Sequence, residues 1–381
     1  MTKTLFGQPR EGISLIGDTP IEQVATMPDM QDIIHLDRNE NLYGPSPKCF
    51  EALRNLGIEE LSIYSRDFTR GVKSRLSERL AIDLNIPEPQ ILLSEGSEDM
   101  LKQAVHCYLG PGEKILCPAQ SWWYYQKVAA EVGGETITYA LKEGPDTFTY
   151  DVDEIVELYR KESPRVVLIA SPNNPTGNSF PDTDLKKLTE AFRESIVVLD
   201  EAYWGFADTS NEHIAELISR YRNLVVLRTF SKYHALAGAR IAYAAVGASL
   251  SRLTKFASRY LGYNRISEAL ALAALDSPEY YTFISRTMRE DRQAYYAFFA
   301  QHRGFRFFRS DANFVLVKIP AELKAPLQQY LKNHRIAIKF FSEPEFVDCI
   351  RITIGTSEQN RKMLAVLGDF LNSSPRGGGS V

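Results

Sequence analysis

Cysteine is scarce in this 381-residue chain, and its four cysteines, Cys49, Cys107, Cys117 and Cys349, lie far apart with no C-x-x-C pair. That spacing argues against a disulfide scaffold, a structural zinc site and a thioredoxin-like redox pair, and it fits thiols kept reduced. Long apolar runs are missing as well. A run such as Ile241–Val246 falls far short of the roughly 20 residues that cross a bilayer, so no membrane span is expected. The opening residues, MTKTLFGQPREG, hold no apolar core of a secretory signal. Neither sign of charge dominates: 44 Lys and Arg against 48 Asp and Glu leave a net charge of −4, with no bulk attraction toward nucleic acid. The histidines show no metal-ligand spacing. Neither a G-x-G-x-x-G nor a G-x-x-x-x-G-K-[ST] loop occurs, and no internal repeat is visible. With 44% apolar and 24% charged residues, the remainder reads as a globular, cytoplasmic protein large enough for a well-buried core.

The dominant pattern is alternation. Seven short apolar runs, Gln90–Leu93, Lys114–Cys117, Glu135–Leu141, Arg165–Ala170, Ser195–Leu199, Asn223–Leu227 and Arg240–Val246, are interleaved with helical periodicity, as at Glu98–Leu109, Trp122–Val132, Val152–Lys161, Asp182–Arg193 and Glu212–Arg220. Unbroken apolar strands between helices predict an α/β fold with a mostly parallel seven-stranded sheet covered on both faces. Ahead of it lies an arm with one short helix expected near Ile21–Thr26 and a turn-rich stretch ending at Ser46 and Pro47, which are placed to start a helix. Behind it, a long helix over Ser277–His302 leads into Phe305–Arg309, Ala312–Lys318, a helix near Leu323–His334, strands Ile336–Phe340 and Cys349–Ile354, and a last helix Ser357–Leu371. The expected division is an arm (1–45), a large α/β domain (46–255), a smaller α+β lobe (256–372) and a Gly/Ser-rich flexible tail (373–381).

Four segments at the ends of predicted strands carry chemistry, where an open α/β sheet places its ligands. Ser171-Pro-Asn-Asn-Pro-Thr-Gly177 confines two amides between prolines. A plain loop is the simpler reading, but such a loop also suits holding one amide rigidly toward a ligand. In Val197-Val-Leu-Asp200-Glu-Ala-Tyr203 a carboxylate leaves an apolar strand, with a phenol three residues later. Asp200 either caps the next helix or, ionised and partly buried, faces a cation. In Leu227-Arg-Thr229-Phe-Ser231-Lys232 hydroxyls flank a lysine in a context too apolar for a surface loop, and Arg240 follows eight residues on. Burial there would lower the lysine's pKa and make it nucleophilic. Glu95-Gly96-Ser97-Glu98 is either a plain N-cap or a phosphate-binding helix start. Together these segments supply what a pyridoxal phosphate site requires: a lysine for the Schiff base, a carboxylate for the pyridine nitrogen, donors for the ring oxygen and a phosphate cradle.

Through the segments LDRNENLYGPSP, LLSEGSEDM, SPNNPTG, VVLDEAY, LRTFSKYHALAGAR and IRITIGT the chain resembles the fold-type I, pyridoxal-phosphate-dependent aminotransferases of class I/II, and within them the histidinol-phosphate aminotransferase branch, from about Leu36 to Leu371. The resemblance implies roles residue by residue. Lys232 carries the cofactor and shuttles the Cα proton. Asp200 pairs with the pyridine nitrogen, and Asn174 and Tyr203 bond the ring oxygen. Gly96, Ser97, Glu98, Thr229, Ser231 and Arg240 lie at the phosphate. Trp122 stacks on the ring, while Trp123, Tyr124 and Tyr125 are read as helix packing. Tyr64 reaches the phosphate of a neighbouring subunit, which implies a homodimer. Arg351 clamps the substrate's carboxylate or its equivalent, and Tyr43 and Asn313 border the substrate.

The chain also departs from the branch. Lys339 stands where an arginine commonly helps to bind the substrate phosphate, and Arg38 and the pair Tyr233-His234 replace smaller residues. His234 is read as filling space beside the site, with a second acid–base role as the alternative. An aminotransferase that moves an amino group between an amino acid, or a phosphorylated amino alcohol, and a 2-oxo acid is the leading expectation. A decarboxylase, eliminase or cyclase on the same fold is the alternative, and a non-catalytic binding domain a distant third.

Overall fold

The computed structural model describes residues 33–207, 210–259 and 261–373. The helix expected near Ile21–Thr26, the front of the arm and nearly all of the tail lie outside the described residues. In chain order the strands are β1 (Ile34–Leu36), β2 (Ile91–Ser94), β3 (Lys114–Pro118), β4 (Glu135–Tyr139), β5 (Leu141–Glu143), β6 (Phe148–Tyr150), β7 (Val166–Ala170), β8 (Ile196–Asp200), β9 (Leu224–Thr229), β10 (Ala242–Val246), β11 (Arg306–Phe308), β12 (Phe314–Lys318), β13 (Ile336–Phe340) and β14 (Cys349–Thr353).

The seven expected runs form one sheet in the order β2-β10-β9-β8-β7-β3-β4. Both of its faces are covered, which explains why the runs are apolar throughout. On β7, Val167 and Ile169 enter one core while Val166, Leu168 and Ala170 enter the other; on β8, Val197 and Leu199 face away from Val198. Neighbours from β4 to β9 pair in parallel, and β10 alone runs against β9 and β2. This reversal has a functional consequence. The amino end of β10, with Arg240 just before it, lies at the same sheet edge as the carboxyl ends of the other strands.

A second, five-stranded sheet has the order β1-β13-β14-β12-β11. Here the structure departs from the expected division: β1, expected within the arm, pairs in parallel with β13. The helix Arg265–Leu275, expected in the small lobe, packs on the helices Pro47–Arg54 and Arg75–Leu84. The run expected as one strand over Glu135–Leu141 breaks at Ala140, and β5 and β6 make a separate two-stranded ribbon. The helix expected from Trp122 begins only at Tyr124. Ser46 does cap the helix Pro47–Arg54, its hydroxyl accepting from the Lys48 N–H with Pro47 in the first turn. Among the described residues, no helix is long and apolar enough to cross a membrane.

Candidate active site

A cavity of about 710 Å³ opens at the carboxyl ends of the large sheet, and its walls come from the ends of β7 and β8, the segment after β9, the helix Tyr124–Ala130, the residues Arg38 and Asn39, and the small sheet. Lys232, three residues past β9, reaches into it and donates from Nζ to the Arg38 carbonyl at 3.0 Å. Burial, and next the nearby Arg351 cation, push its pKa down to about 8. A minority of this amine, far larger than for an ordinary lysine, is therefore neutral near physiological pH, the state a nucleophile or base requires.

Asp200 ends β8 and is buried at the cavity. Its Oδ1 accepts from the Ala202 N–H at 2.9 Å and its Oδ2 from the Tyr125 hydroxyl at 2.8 Å. Burial pushes its pKa up to about 6 against these two bonds. It caps no helix, since the next begins at Glu212. Tyr203 accepts at its hydroxyl from Asn39 Nδ2 at 2.9 Å and packs edge-on against Phe314.

The two amides of the Asn-Asn pair divide the work. Asn173 is buried and spent on tying its loop to the segment after β3: Nδ2 donates to the Gln120 carbonyl at 2.7 Å and to Thr176 Oγ1, and Oδ1 accepts from Ser121. Asn174 faces the cavity, where its Oδ1 accepts from Arg351. Arg351 also donates to the Asp37 carbonyl at 2.7 Å, and its guanidinium lies 5.4 Å from the Phe314 ring centre. Lys339 is its cross-strand partner on β13, and both line the cavity. Trp122 borders the cavity with its ring 5.8 Å from that of Tyr125.

Beside the cavity lies a hydroxyl- and guanidinium-rich corner. Thr229 Oγ1 donates to Ser231 Oγ at 2.9 Å and accepts from the Ser231 N–H at 3.1 Å. Gly96, at φ 96°, is the N-cap of the helix Ser97–Tyr108, and no side chain caps that end. A Cβ on Gly96 would run into the Arg240 guanidinium, so only glycine lets that cation lie across the helix start.

Other expected residues are placed elsewhere. Glu98 is exposed on the first turn of the helix and does not line the cavity. Arg38 borders the cavity, yet it is its carbonyl that meets Lys232. Tyr43 is tied to Ser357, accepting from its N–H at 3.1 Å, and Asn313 donates to the Asn39 carbonyl at 3.1 Å; neither lines the cavity. Tyr64 is 67% exposed and borders a different depression with Arg66 and Arg265. His234 is buried against Phe230 and Tyr281, off the cavity wall, and burial pushes its pKa down to about 3. It is a neutral ring in an aromatic cluster.

Two participants were missed. Tyr125, read as packing, is indeed buried, but its hydroxyl serves Asp200. Asn39 stands inside the segment LDRNENLYGPSP, where nothing local distinguishes it from Asn41. Trp123, also read as packing, is 58% exposed at the cavity mouth.

The family model for aminotransferases of class I and II matches residues 31–367. The chain belongs to this family. It is 32% identical over 356 residues to the histidinol-phosphate aminotransferase of Bacillus subtilis, covering 92% of this chain and 95% of that one. It is 31% identical over 334 residues to the histidinol-phosphate aminotransferase of Ruminiclostridium cellulolyticum, covering 87% and 90%. The crystal structure of histidinol-phosphate aminotransferase from Sinorhizobium meliloti in complex with pyridoxal-5′-phosphate is similar with a TM-score of 0.79 at 25% identity, over 89% of this chain and 91% of that one. This aminotransferase is therefore a pyridoxal-phosphate-dependent transaminase of fold type I. Its donor set fits the cofactor on its own evidence. A buried carboxylate with no cationic side chain bonded to it among the described residues suits a protonated ring nitrogen. A bare glycine under a guanidinium suits a phosphate.

Proposed function

We propose that this aminotransferase exchanges the amino group of a small phosphorylated amino alcohol of the histidinol-phosphate type with that of a 2-oxo acid. The observation that carries this reading is the pairing of Arg351 and Lys339 across β14 and β13 on the wall of the cavity that holds Lys232. Two adjacent cations suit a doubly charged phosphate, and the fork of Arg351 suits a carboxylate in the other half-reaction.

When bound, pyridoxal phosphate supplies an electron sink for the carbanion left at the substrate Cα. The chain's residues do the rest. Lys232 carries the cofactor between turnovers and, once displaced by the substrate amine, takes the Cα proton on Nζ. Its depressed pKa supports that base role near neutral pH. Asp200 holds the positive charge at the ring nitrogen, and Asn174 and Tyr203 are the donors to the ring oxygen. Trp122 covers the ring face. Gly96, Ser97 and Glu98 through the start of their helix, with Thr229, Ser231 and Arg240, hold the phosphate.

The active unit is a homodimer in which Tyr64 completes the neighbouring site. The exposed Phe50, Ile58, Leu61, Tyr64 and Phe68, close together in the chain, support an apolar interface there. The cofactor domain runs from 46 through the helix Arg265–Leu275, with the small lobe after it, and four buried thiols support a reducing compartment such as the cytoplasm.

The test is a visible-absorption titration of the cofactor-loaded protein with histidinol phosphate, histidinol and single amino acids. Bleaching by the phosphorylated amine, reversed by a 2-oxo acid, is the expected result. An equal response to histidinol sinks the substrate assignment, and release of carbon dioxide or ammonia without amino transfer sinks the reaction.

A further inference from the structure

We propose that Asn39 is a positioning residue that aims the Tyr203 hydroxyl proton into the cavity. The inference rests on the reading of Tyr203 as a donor to the cofactor's ring oxygen. Hydroxyl protons rotate and the two ends of an amide look alike, so the sense of a side-chain hydrogen-bond chain has to be deduced from a group with only one role. Here that group is a backbone N–H.

The Asn39 N–H donates to Thr353 Oγ1 at 3.0 Å. A backbone N–H cannot accept, so the Thr353 proton must point elsewhere. Its remaining bonding partner among the described residues is the Asn39 side-chain oxygen, at 3.2 Å. Turning the amide end for end would aim two donors at a fully buried hydroxyl and leave the hydroxyl proton without an acceptor. The amide is thereby oriented, and its Nδ2 faces the Tyr203 oxygen at 2.9 Å. Tyr203 is the acceptor in that bond. Its own proton is barred from the Asn39 side and is left to the cavity, which Tyr203 and Asn39 both line.

The backbone supports this role. Asn39 sits at φ 55°, in the left-handed region that asparagine tolerates better than most residues, and its carbonyl accepts from Asn313 Nδ2 at 3.1 Å. Thr353 ends β14 and Asn313 immediately precedes β12, two paired strands of the small sheet. The small sheet thus fixes Asn39, and Asn39 fixes the proton of a phenol that belongs to the large sheet. The orientation would be lost if the lobes separated at this point.

A hydroxyl that donates to the ring oxygen favours its anionic form, so it lowers the pH midpoint of the bound cofactor's visible absorption change. The experiment is to titrate that midpoint in the holoenzyme and in its Tyr203→Phe, Asn39→Asp, Thr353→Val and Thr353→Ser variants, recording thermal melting alongside. In Asn39→Asp the new carboxylate accepts from Tyr203 and turns its proton away from the cavity. The midpoint should then rise by about one unit, toward the Tyr203→Phe value, as expected for loss of one hydrogen bond to a charged oxygen. Thr353→Val should raise it part of the way, and Thr353→Ser should restore it. If Tyr203→Phe leaves the midpoint unchanged, the reading of Tyr203 fails and this inference with it. If Tyr203→Phe shifts it while folded Asn39→Asp and Thr353→Val do not, Tyr203 keeps its role and the orienting chain is overturned. Should Thr353→Val fail to fold, Asn39→Asp against Thr353→Ser decides alone.

Discussion

The Tyr125 hydroxyl donates to Asp200 Oδ2 at 2.8 Å while the Ala202 N–H holds Oδ1, so both carboxylate oxygens are fixed. Burial, with the Asp200 charge next, drives the Tyr125 pKa far above the usual phenol range, so this hydroxyl stays a donor at every working pH. Tyr125→Phe keeps the ring and deletes the donor. A hydrogen bond to a charged acceptor is worth about 1.5–3 kcal/mol, so cofactor affinity should fall on the order of 10–100-fold. The acid limb of the kcat profile should also move to higher pH, because Asp200 then ionises less readily. Fluorescence titration with pyridoxal phosphate measures the first effect. An unchanged dissociation constant would show the bond to be idle.

Asp200 also makes a stability prediction for the cofactor-free protein. Its folded pKa of about 6 lies above the ordinary 3.8, so the folded state holds a proton that the unfolded state releases between these values. Its burial penalty is therefore fully present above pH 6 and is relieved as the pH falls toward 4. Asp200→Asn removes the penalty. At pH 7 the cofactor-free variant should be more stable by about 1–3 kcal/mol, while binding cofactor more weakly. Lys232 acts in the opposite sense: with its pKa near 8 against an ordinary 10.5, its penalty is present below pH 8 and fades above 10.5. Thermal melts of the cofactor-free pair across pH 4–7 decide the matter, and equal melting temperatures at pH 7 would contradict the burial argument.

These features were unequally legible in the sequence. The large sheet was readable because two-sided burial makes every strand apolar, and none of its seven runs was missed. β1 was not, because Ile34-His-Leu36 is three residues long and gains its strand character from pairing with β13. Lys232 and Asp200 could be picked out because motif and strand end coincide, whereas only the family resemblance singled out Asn174 from Asn173. Tyr125 could not: it shares the buried face of its helix with Tyr124, Val128 and Ala129, and nothing local marks its hydroxyl as different from that of Tyr124. The partner that gives it a role is 75 residues away. Asn39 has the same history, since its importance lies in Thr353 and Tyr203, which only the fold brings together.

Gly96→Ala tests the phosphate corner. The added Cβ meets the Arg240 guanidinium, and φ 96° strains any other residue. The corner lies at a helix end rather than in a core, so the fold should survive while cofactor affinity falls about tenfold or more. Equilibrium dialysis against pyridoxal phosphate reads the loss. Full affinity with an unaltered melting curve would mean that Arg240 does not need that surface.

The pairing of Arg351 with Lys339 yields the sharpest test of substrate choice. Arg351 is locked by Asn174, Asp37 and Phe314, so its fork is already oriented before substrate arrives. Lys339 is held by no ion pair within 4 Å among the described residues; its ammonium lies 5.3 Å from the Phe341 ring centre and acts as a point charge. Arg351→Gln should therefore depress kcat/KM for every substrate, on the order of 100-fold, because both half-reactions present an anion to it. Lys339→Ala should be selective: KM for a phosphorylated amine should rise about tenfold, while that for an unphosphorylated amino acid should barely move. Raised ionic strength should weaken the phosphorylated substrate more in the wild type than in this variant, because the screened charge is the one removed. Equal losses for both substrate classes would reduce Lys339 to a structural neighbour and return the choice of phosphate partner to Arg351 alone.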